Sequence, residues 1–205
     1  MIKKKKYSKV DEYCKDYFKE IEESYDNLAK RNLPKVIKLL HKKYKGKNNI
    51  FVCGNGGSAA IANHFECDHK KILSETKKIN PRLISLCSNT ALLTAISNDI
   101  SYKDVYKKQL EYLANKGDVL ITISSSGNSE NIIQAIKFAK KNKMKVISFS
   151  GFNGGRSRKM CDLNLHVNSQ NYGVIENLHH AYMNIISQFI KLRSLTNSEI
   201  RKYKF

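Results

Sequence analysis

Apolar residues follow two alternating patterns along this chain. Short apolar runs lie at 48–54, 81–88, 117–124, 144–151 and 162–167. Longer stretches with helical spacing separate them, at about 58–75, 103–115, 129–142 and 174–193. Buried strands that alternate with helices are typical of a parallel sheet covered on both faces. The pattern therefore predicts an α/β fold: a three-layer αβα architecture, flavodoxin-like, around a five-stranded parallel sheet.

The segment before the first strand, residues 8–45, has only the helical pattern. Its apolar positions recur at steps of three and four residues, at Val10, Tyr13, Tyr17, Ile21, Tyr25 and Leu28. Pro34 interrupts the pattern, and because proline removes a helical hydrogen bond, we expect two helices or a kink. Such an amphipathic extension can cover a core or pair with another subunit. We expect it to belong to one domain that spans residues 1–205.

Composition supports a soluble globular protein. The 205 residues are 41% hydrophobic and 27% charged. No apolar run approaches the length of a membrane span, and the basic start lacks the apolar stretch of a secretory signal, so we expect a cytoplasmic protein without a membrane partner. Five cysteines, at 14, 53, 67, 87 and 161, show no CxxC spacing, and Cys53 and Cys87 lie inside apolar runs. Reduced, buried thiols explain these two better than disulfides.

The net charge of +19 raises the question of nucleic-acid binding. Of the 37 basic residues, 31 are lysines, and they are spread over the chain without an arginine-rich stripe. A solvated lysine surface explains this distribution better, so we expect no nucleic-acid partner. The same charge suits an anionic, phosphorylated small molecule.

Two loops rich in glycine and serine follow predicted strands and open predicted helices. They contain Asn55, Gly56, Gly57 and Ser58 in the first loop, and Ser124, Ser125, Ser126 and Ser129 in the second. Ligands of a doubly wound sheet bind outside the carboxyl ends of its strands, and a helix N-terminus favours an anion. Serine hydroxyls donate to phosphate oxygens or cap helices. Ordinary turns with serine caps are the alternative, but two such loops in one sheet favour an anion site.

The sequence around the two loops indicates which class of anion they bind. The first loop fits a loose Gly-x-Gly-x-x-Ala dinucleotide pattern, which also requires an acidic residue near the end of the next strand. That strand ends in Leu86, Cys87 and Ser88, without an acid, and no Gly-Lys-Ser/Thr phosphate loop occurs. A triple serine suits a terminal phosphate. We therefore expect a sugar phosphate and no nucleotide cofactor.

Titratable residues follow both loops. His64 and Asp68 are four residues apart and share a helix face, as a metal-binding or acid–base pair would. A surface pair is the alternative, and the adjacent His69, Lys70 and Lys71 are expected at the surface.

Two further groups of polar residues are candidates. Asn98 and Asp99 interrupt an apolar segment, where they suit contacts to sugar hydroxyls or capping of the next helix. On the last long helix, Glu176 precedes His179 and His180 by three and four residues. This spacing fits metal ligands or an acid–base pair, with a surface Glu–His pair as the alternative.

Taken together, these motifs resemble the sugar isomerase (SIS) domain family, and within it the phosphoheptose isomerases. The matching segments are "GNGGSAA", "LTAISND", "GDVLITISSSGNSENIIQAI" and "VISFSGFNGG", followed by the helix with Glu176, in the family's order over about residues 8 to 193. The resemblance implies interconversion of sedoheptulose 7-phosphate and a heptose 7-phosphate through an enediol, which supplies heptose for lipopolysaccharide or capsule. It also implies homotetramers built through the N-terminal helices, with active sites between subunits.

The resemblance also implies roles for individual residues. Ser124, Ser126 and Ser129, with Ser125 between them, match the phosphate cradle; Asn55, Gly56, Gly57, Asn98 and Asp99 match substrate contacts. In bacterial members, zinc is held at the positions of His64, Asp68, Glu176 and Asn184. The family usually has Glu, Gln and His at the last three.

These departures leave several readings open. The site is rebuilt from His64, Asp68, Glu176 and one of His179 and His180, or it serves another sugar phosphate, or the chain is a non-catalytic module that binds a sugar phosphate or a protein. Our leading hypothesis is an isomerase in which Asp68 is the base and His180 or His179 its partner. Zinc, held by His64, Asp68 and Glu176, is the candidate cofactor.

Overall fold

Five parallel strands form the centre of the molecule. The computed structural model describes residues 6–25 and 27–203, without the side chains of residues 27–29, so Leu28 lies outside the description. The strands are β1 (Ile50–Gly54), β2 (Leu83–Ser85), β3 (Val119–Ser124), β4 (Lys145–Ser150) and β5 (Leu163–His166). They are all parallel, in the order β2-β1-β3-β4-β5. The predicted five-stranded, flavodoxin-like sheet is confirmed, with strands shorter than the apolar runs, most of all β2, which has 3 residues.

Helices connect and cover the strands. They are α1 (Val10–Glu23), α2 (Asn27–Tyr44), α3 (Gly57–Ser74), α4 (Thr90–Asp99), α5 (Val105–Leu113), α6 (Glu130–Lys141), α7 (Gly155–Met160), α8 (Tyr172–Ser194) and α9 (Asn197–Ile200). A short 3₁₀ turn, Tyr102–Asp104, precedes α5. Helix α8 contacts α1, α2 and α3 in one layer, and α6 contacts α5 and α7 in the other.

The core lies between these layers because the strands are apolar on both faces. Every residue of β1 and β3 is buried, as a parallel sheet covered by helices requires. Cys53 and Cys87 are buried and free, which confirms the sequence prediction for these two thiols. Among the described residues, no helix is both long enough and apolar enough to cross a bilayer.

The N-terminal extension forms two helices, but Pro34 does not separate them. The break lies between the end of α1 at Glu23 and the start of α2 at Asn27, and Pro34 lies inside α2. Helix α1 lies against α8, where Tyr17 Oη accepts a hydrogen bond from Asn177 Nδ2 at 2.8 Å. The sequence pattern also missed α4, α7 and α9, which are short.

Candidate functional site

A cavity of about 160 Å³ opens between the two loops that the sequence singles out. It is lined by Asn55, Ser58, Ile123, Ser124, Ser125, Ser126, Ser129, Tyr172 and Glu176. The loops meet because β1 and β3 are neighbours, with Gly54 paired to Ile123 in the register. The order of the strands reverses between β1 and β3, and ligands of open α/β sheets bind at such a point.

The serine loop presents hydroxyl groups to this cavity. Ser125 Oγ is buried and has no hydrogen-bond partner within the described part of the chain. Ser129 precedes α6 but its side chain does not cap the helix. The oxygens of Ser124 and Ser126 accept from the backbone N–H groups of the loop itself, at 3.1 Å and 3.3 Å, which leaves their O–H groups as donors. The arrangement supplies donors for an anion.

A second glycine-rich loop, after β4, supports the serine loop. Gly127 has φ +63°, and a Cβ there would lie 2.2 Å from the carbonyl oxygen of Gly154. Gly127 O in turn accepts from Ser157 N at 2.9 Å. Only glycine allows this conformation and this approach of two backbones, so both loops keep one relative position.

Asn55 of the first loop is held by a network that the sequence analysis missed. Its side chain exchanges two hydrogen bonds, each 2.9 Å, with the amide of Asn131 on α6. Tyr102 Oη also donates to Asn55 Oδ1 at 2.9 Å. Tyr106 Oη lies 3.3 Å from Asn55 Oδ1, but its single O–H donates to the nearer carbonyl oxygen of Gly54. Asn131 is 2% exposed, and a polar residue on the buried face of a predicted helix was the available signal. The sequence analysis also missed Tyr172, which lines the cavity.

Glu176, a residue of α8, lies beside the start of α3, the helix that follows the first loop. A Cβ added to Gly57 would be 2.7 Å from Glu176 Oε2 and 2.9 Å from Oε1. The carboxylate therefore occupies the space that a side chain at position 57 would take, next to the N-terminus of α3. Its position links α8 to the serine cavity, as the predicted substrate-binding role requires.

One turn along α8, His180 joins the residues of α3. Its Nε2 lies 2.6 Å from His64 Nδ1, and His64 Nε2 lies 3.1 Å from Asp68 Oδ1. Burial lowers the pKa of His180, and neighbouring His64 lowers it further, while Asp68 raises it. The structure thus brings together three of the predicted residues as a chain of hydrogen bonds from Asp68 to His180.

Two further histidines that the sequence analysis named lie in the core. His179 is fully buried, with its Nε2 3.2 Å from the carbonyl oxygen of Ser150, and burial lowers its pKa to about 4. His180, and not His179, makes the contact with His64, and a catalytic role for His179 stays a prediction. His69, expected at the surface, is fully buried, with its Nδ1 2.6 Å from Tyr44 Oη and its ring stacked on Phe65. Lys70 and Lys71 are exposed, as predicted.

Asn98 and Asp99 form the end of α4 and are exposed. Asn98 Nδ2 donates to Asp99 Oδ1 at 2.8 Å, and neither residue lines the serine cavity of this chain. They do not cap the next helical turn either, whose N-cap is Ser101. Their contact with substrate stays a prediction.

The donor groups do not form a zinc site in this arrangement. Both ring nitrogens of His64 already face Asp68 and His180, and Zn²⁺ needs a free nitrogen lone pair. Within residues 6–25 and 27–203, no group of three or more His, Cys, Asp and Glu side chains is placed to hold a metal ion. Zinc at His64, Asp68 and Glu176 stays a prediction.

Comparison with known proteins points to one family. The family model for the SIS domain matches residues 13–151. A phosphoheptose isomerase of Aliarcobacter butzleri is 41% identical over 158 residues, which cover 77% of this chain and 83% of the relative. One of Helicobacter pylori (strain P12) is 37% identical over 178 residues, or 86% of this chain and 90% of the relative.

Solved structures give the same result. The structure of a phosphoheptose isomerase from Neisseria gonorrhoeae superposes with a TM-score of 0.81 at 30% identity. The match covers 89% of this chain and 97% of that one. The superposition covers more of the chain than the family model does, whose match ends at residue 151.

Proposed function

This chain belongs to the SIS domain family, and on that premise we propose that it is a phosphoheptose isomerase, which interconverts sedoheptulose 7-phosphate and a heptose 7-phosphate. One observation carries the proposal: Glu176 lines the serine cavity, and His180, one turn further along the same helix, is bonded to His64. A phosphate site thus adjoins a set of acid–base groups. The names of the relatives support the substrate, and the route would supply heptose for lipopolysaccharide or capsule.

In this proposal the serine loop binds the phosphate. Ser125 Oγ supplies a donor that has no other described partner, and the O–H groups of Ser124, Ser126 and Ser129 add to it. The N-terminus of α6, a helix of 12 residues, favours the negative charge. The phosphate thereby fixes one end of the sugar and leaves the other end toward Glu176 and α3.

Isomerisation moves a proton between adjacent carbons of the sugar. A base removes a proton from C1 of the ketose, which gives an enediol, and the proton is returned at C2, while O2 gains and O1 loses a proton. If Asp68 accepts from His64 Nε2–H, then His64 Nδ1 accepts from His180 Nε2–H. His180 Nδ1 is left with a lone pair. Since its lowered pKa keeps the ring neutral at neutral pH, His180 can take up a proton, and Asp68 stabilises the resulting charge through His64.

Glu176 is the second proton carrier of the proposal because its carboxylate lines the cavity. In this arrangement Asp68 Oδ1 is paired with His64 Nε2. The prediction that Asp68 itself removes the proton stands as a testable alternative. Substitution of each group in turn separates these roles.

The proposal includes a cytoplasmic homotetramer with active sites between subunits. Val10 and Phe18, both on α1, are exposed in the single chain, which fits helix pairing with another copy. In such an assembly, Asn98 and Asp99 of one copy contact the substrate in the cavity of another copy.

Turnover by the purified protein tests the function. Sedoheptulose 7-phosphate and fructose 6-phosphate are incubated separately and followed by NMR, with and without added zinc. We expect an aldose product from the first sugar. If neither sugar turns over but sedoheptulose 7-phosphate binds, the chain is the alternative, a non-catalytic sugar-phosphate module.

A further inference from the structure

We infer that Asn131, together with Tyr102, fixes the amide of Asn55 in one orientation, so that Asn55 presents an N–H donor to the reacting oxygens of the sugar. Neither residue belongs to the serine loop or to the acid–base set. The inference rests on the proposed function, because the oxygens concerned are those at C1 and C2 of a ketose phosphate.

The orientation of the Asn55 amide follows from its partners. Oδ1 faces two donors, Asn131 Nδ2 at 2.9 Å and Tyr102 Oη at 2.9 Å. A flipped amide would aim its NH₂ group at these donors and lose the bonds. A buried amide without partners is costly, so the network admits one orientation.

The side-chain amide nitrogen of Asn55 has one N–H group that none of the described contacts uses. An amide NH₂ has two hydrogens, and the described contacts use one, to Asn131 Oδ1 at 2.9 Å. Asn55 also lines the serine cavity. The second hydrogen is therefore available to a ligand, and Asn55 acts as a donor and not as an acceptor.

A fixed donor at this place suits the chemistry. Negative charge develops on the oxygen at C2 when the proton leaves C1, and preorganised donors stabilise such a charge more than mobile ones. Asn131 touches no substrate in this scheme, so it is a positioning residue. It lies in the first turn of α6, directly after the serine loop, and thus ties the phosphate end of the site to the donor at the reacting end.

Two variants test the inference. Tyr102→Phe removes one donor to Asn55 at a side chain that is 58% exposed, so the fold is retained. Asn131→Ala removes both bonds of the amide pair. The matched control is Tyr112→Phe, since Tyr112 is 62% exposed and lies outside the network. Steady-state kinetics with sedoheptulose 7-phosphate give kcat and KM, and calorimetry gives the Kd of inorganic phosphate.

We expect kcat to fall about tenfold in Tyr102→Phe and about a hundredfold in Asn131→Ala, as small misplacements of catalytic groups do. The Kd of inorganic phosphate stays within twofold, because the serine loop is unchanged. Adding Asn55→Ala to Asn131→Ala lowers kcat less than twofold further. Wild-type kcat in both variants overturns the inference, and so does an equal loss of phosphate binding, which indicates a structural role.

Absence of turnover by the wild-type protein would refute the proposed function and not this inference. The readout is then the binding of sedoheptulose 7-phosphate. Weaker binding of the sugar phosphate by both variants, with unchanged binding of inorganic phosphate, supports the positioning role. Unchanged binding of both ligands overturns it.

Discussion

His180 Nε2 lies 2.6 Å from His64 Nδ1, so helices α8 and α3 meet through one hydrogen bond at the site. Asp68, one turn along α3 from His64, completes the series. In the proposed arrangement of protons, Asp68 accepts from His64 and His64 accepts from His180, so His180 keeps one nitrogen lone pair. This is the basis of the proposal that His180 carries a proton in the reaction.

Removal of His180 tests this assignment. His180→Ala is expected to lower kcat by about 10²–10⁴-fold, the usual contribution of an acid–base group. KM changes little, since His180 does not line the serine cavity. Gln188→Ala, two turns further along α8, is the control. A kcat within twofold of wild type would exclude His180 as a proton carrier.

The unpartnered hydroxyl of Ser125 gives a second prediction. Ser125→Ala weakens binding of inorganic phosphate by about 1.5–3 kcal/mol, or roughly tenfold to a hundredfold in Kd, because a donor to a charged group is lost. The ligand-free protein keeps its stability, since the hydroxyl has no described partner to lose. Calorimetry and thermal denaturation measure the two effects. Ser88→Ala is the control, and equal Kd values for the two variants would contradict the phosphate role.

Gly57 leaves room for the carboxylate of Glu176. Gly57→Ala places a Cβ 2.7 Å from Oε2, so the carboxylate must move, and kcat/KM is expected to fall at least about tenfold. Gly46→Ala is a matched control, because the nearest atom to its Cβ lies at an ordinary 3.5 Å. If kcat/KM is the same in both variants, the position of Glu176 does not matter to the reaction.

Burial of His69 predicts a change in stability without a change in activity. Tyr44→Phe leaves His69 Nδ1 without its partner in the core, which costs about 1–3 kcal/mol in the free energy of unfolding. For a chain of this size, each kcal/mol lowers Tm by about 2–4 °C. Thermal denaturation checks the shift, with Tyr112→Phe as control. An unchanged Tm would mean that the bond adds nothing to stability.

The sequence was sufficient for the fold because strands buried on both faces, such as 117–124, are apolar throughout, and this signal is independent of tertiary contacts. Pro34 shows the limit of local rules: it was expected to separate two helices or to kink one, and α2 continues through it. Short helices such as α7 carry too few residues for a periodic pattern.

The site was predictable where chemistry follows a strand end, as in Ser124–Ser129 and at Asn55. The side of each helix that faces the site was not predictable from the sequence. His179 and His180 are adjacent in sequence, and only packing against Phe149 decides that His179 is in the core. Asn131 and Tyr102 were missed because their role depends on contact with Asn55, more than 40 residues away.

The central claim is that a phosphate site and a proton-transfer site act together on one ketose phosphate, and deuterium incorporation tests it most directly. The wild-type protein is incubated with sedoheptulose 7-phosphate in D₂O, and the products are examined by NMR. We expect an aldose heptose 7-phosphate that carries solvent deuterium at C2, and loss of this signal in His180→Ala. Wild-type protein that binds the sugar phosphate but yields neither aldose nor deuterated ketose would contradict it.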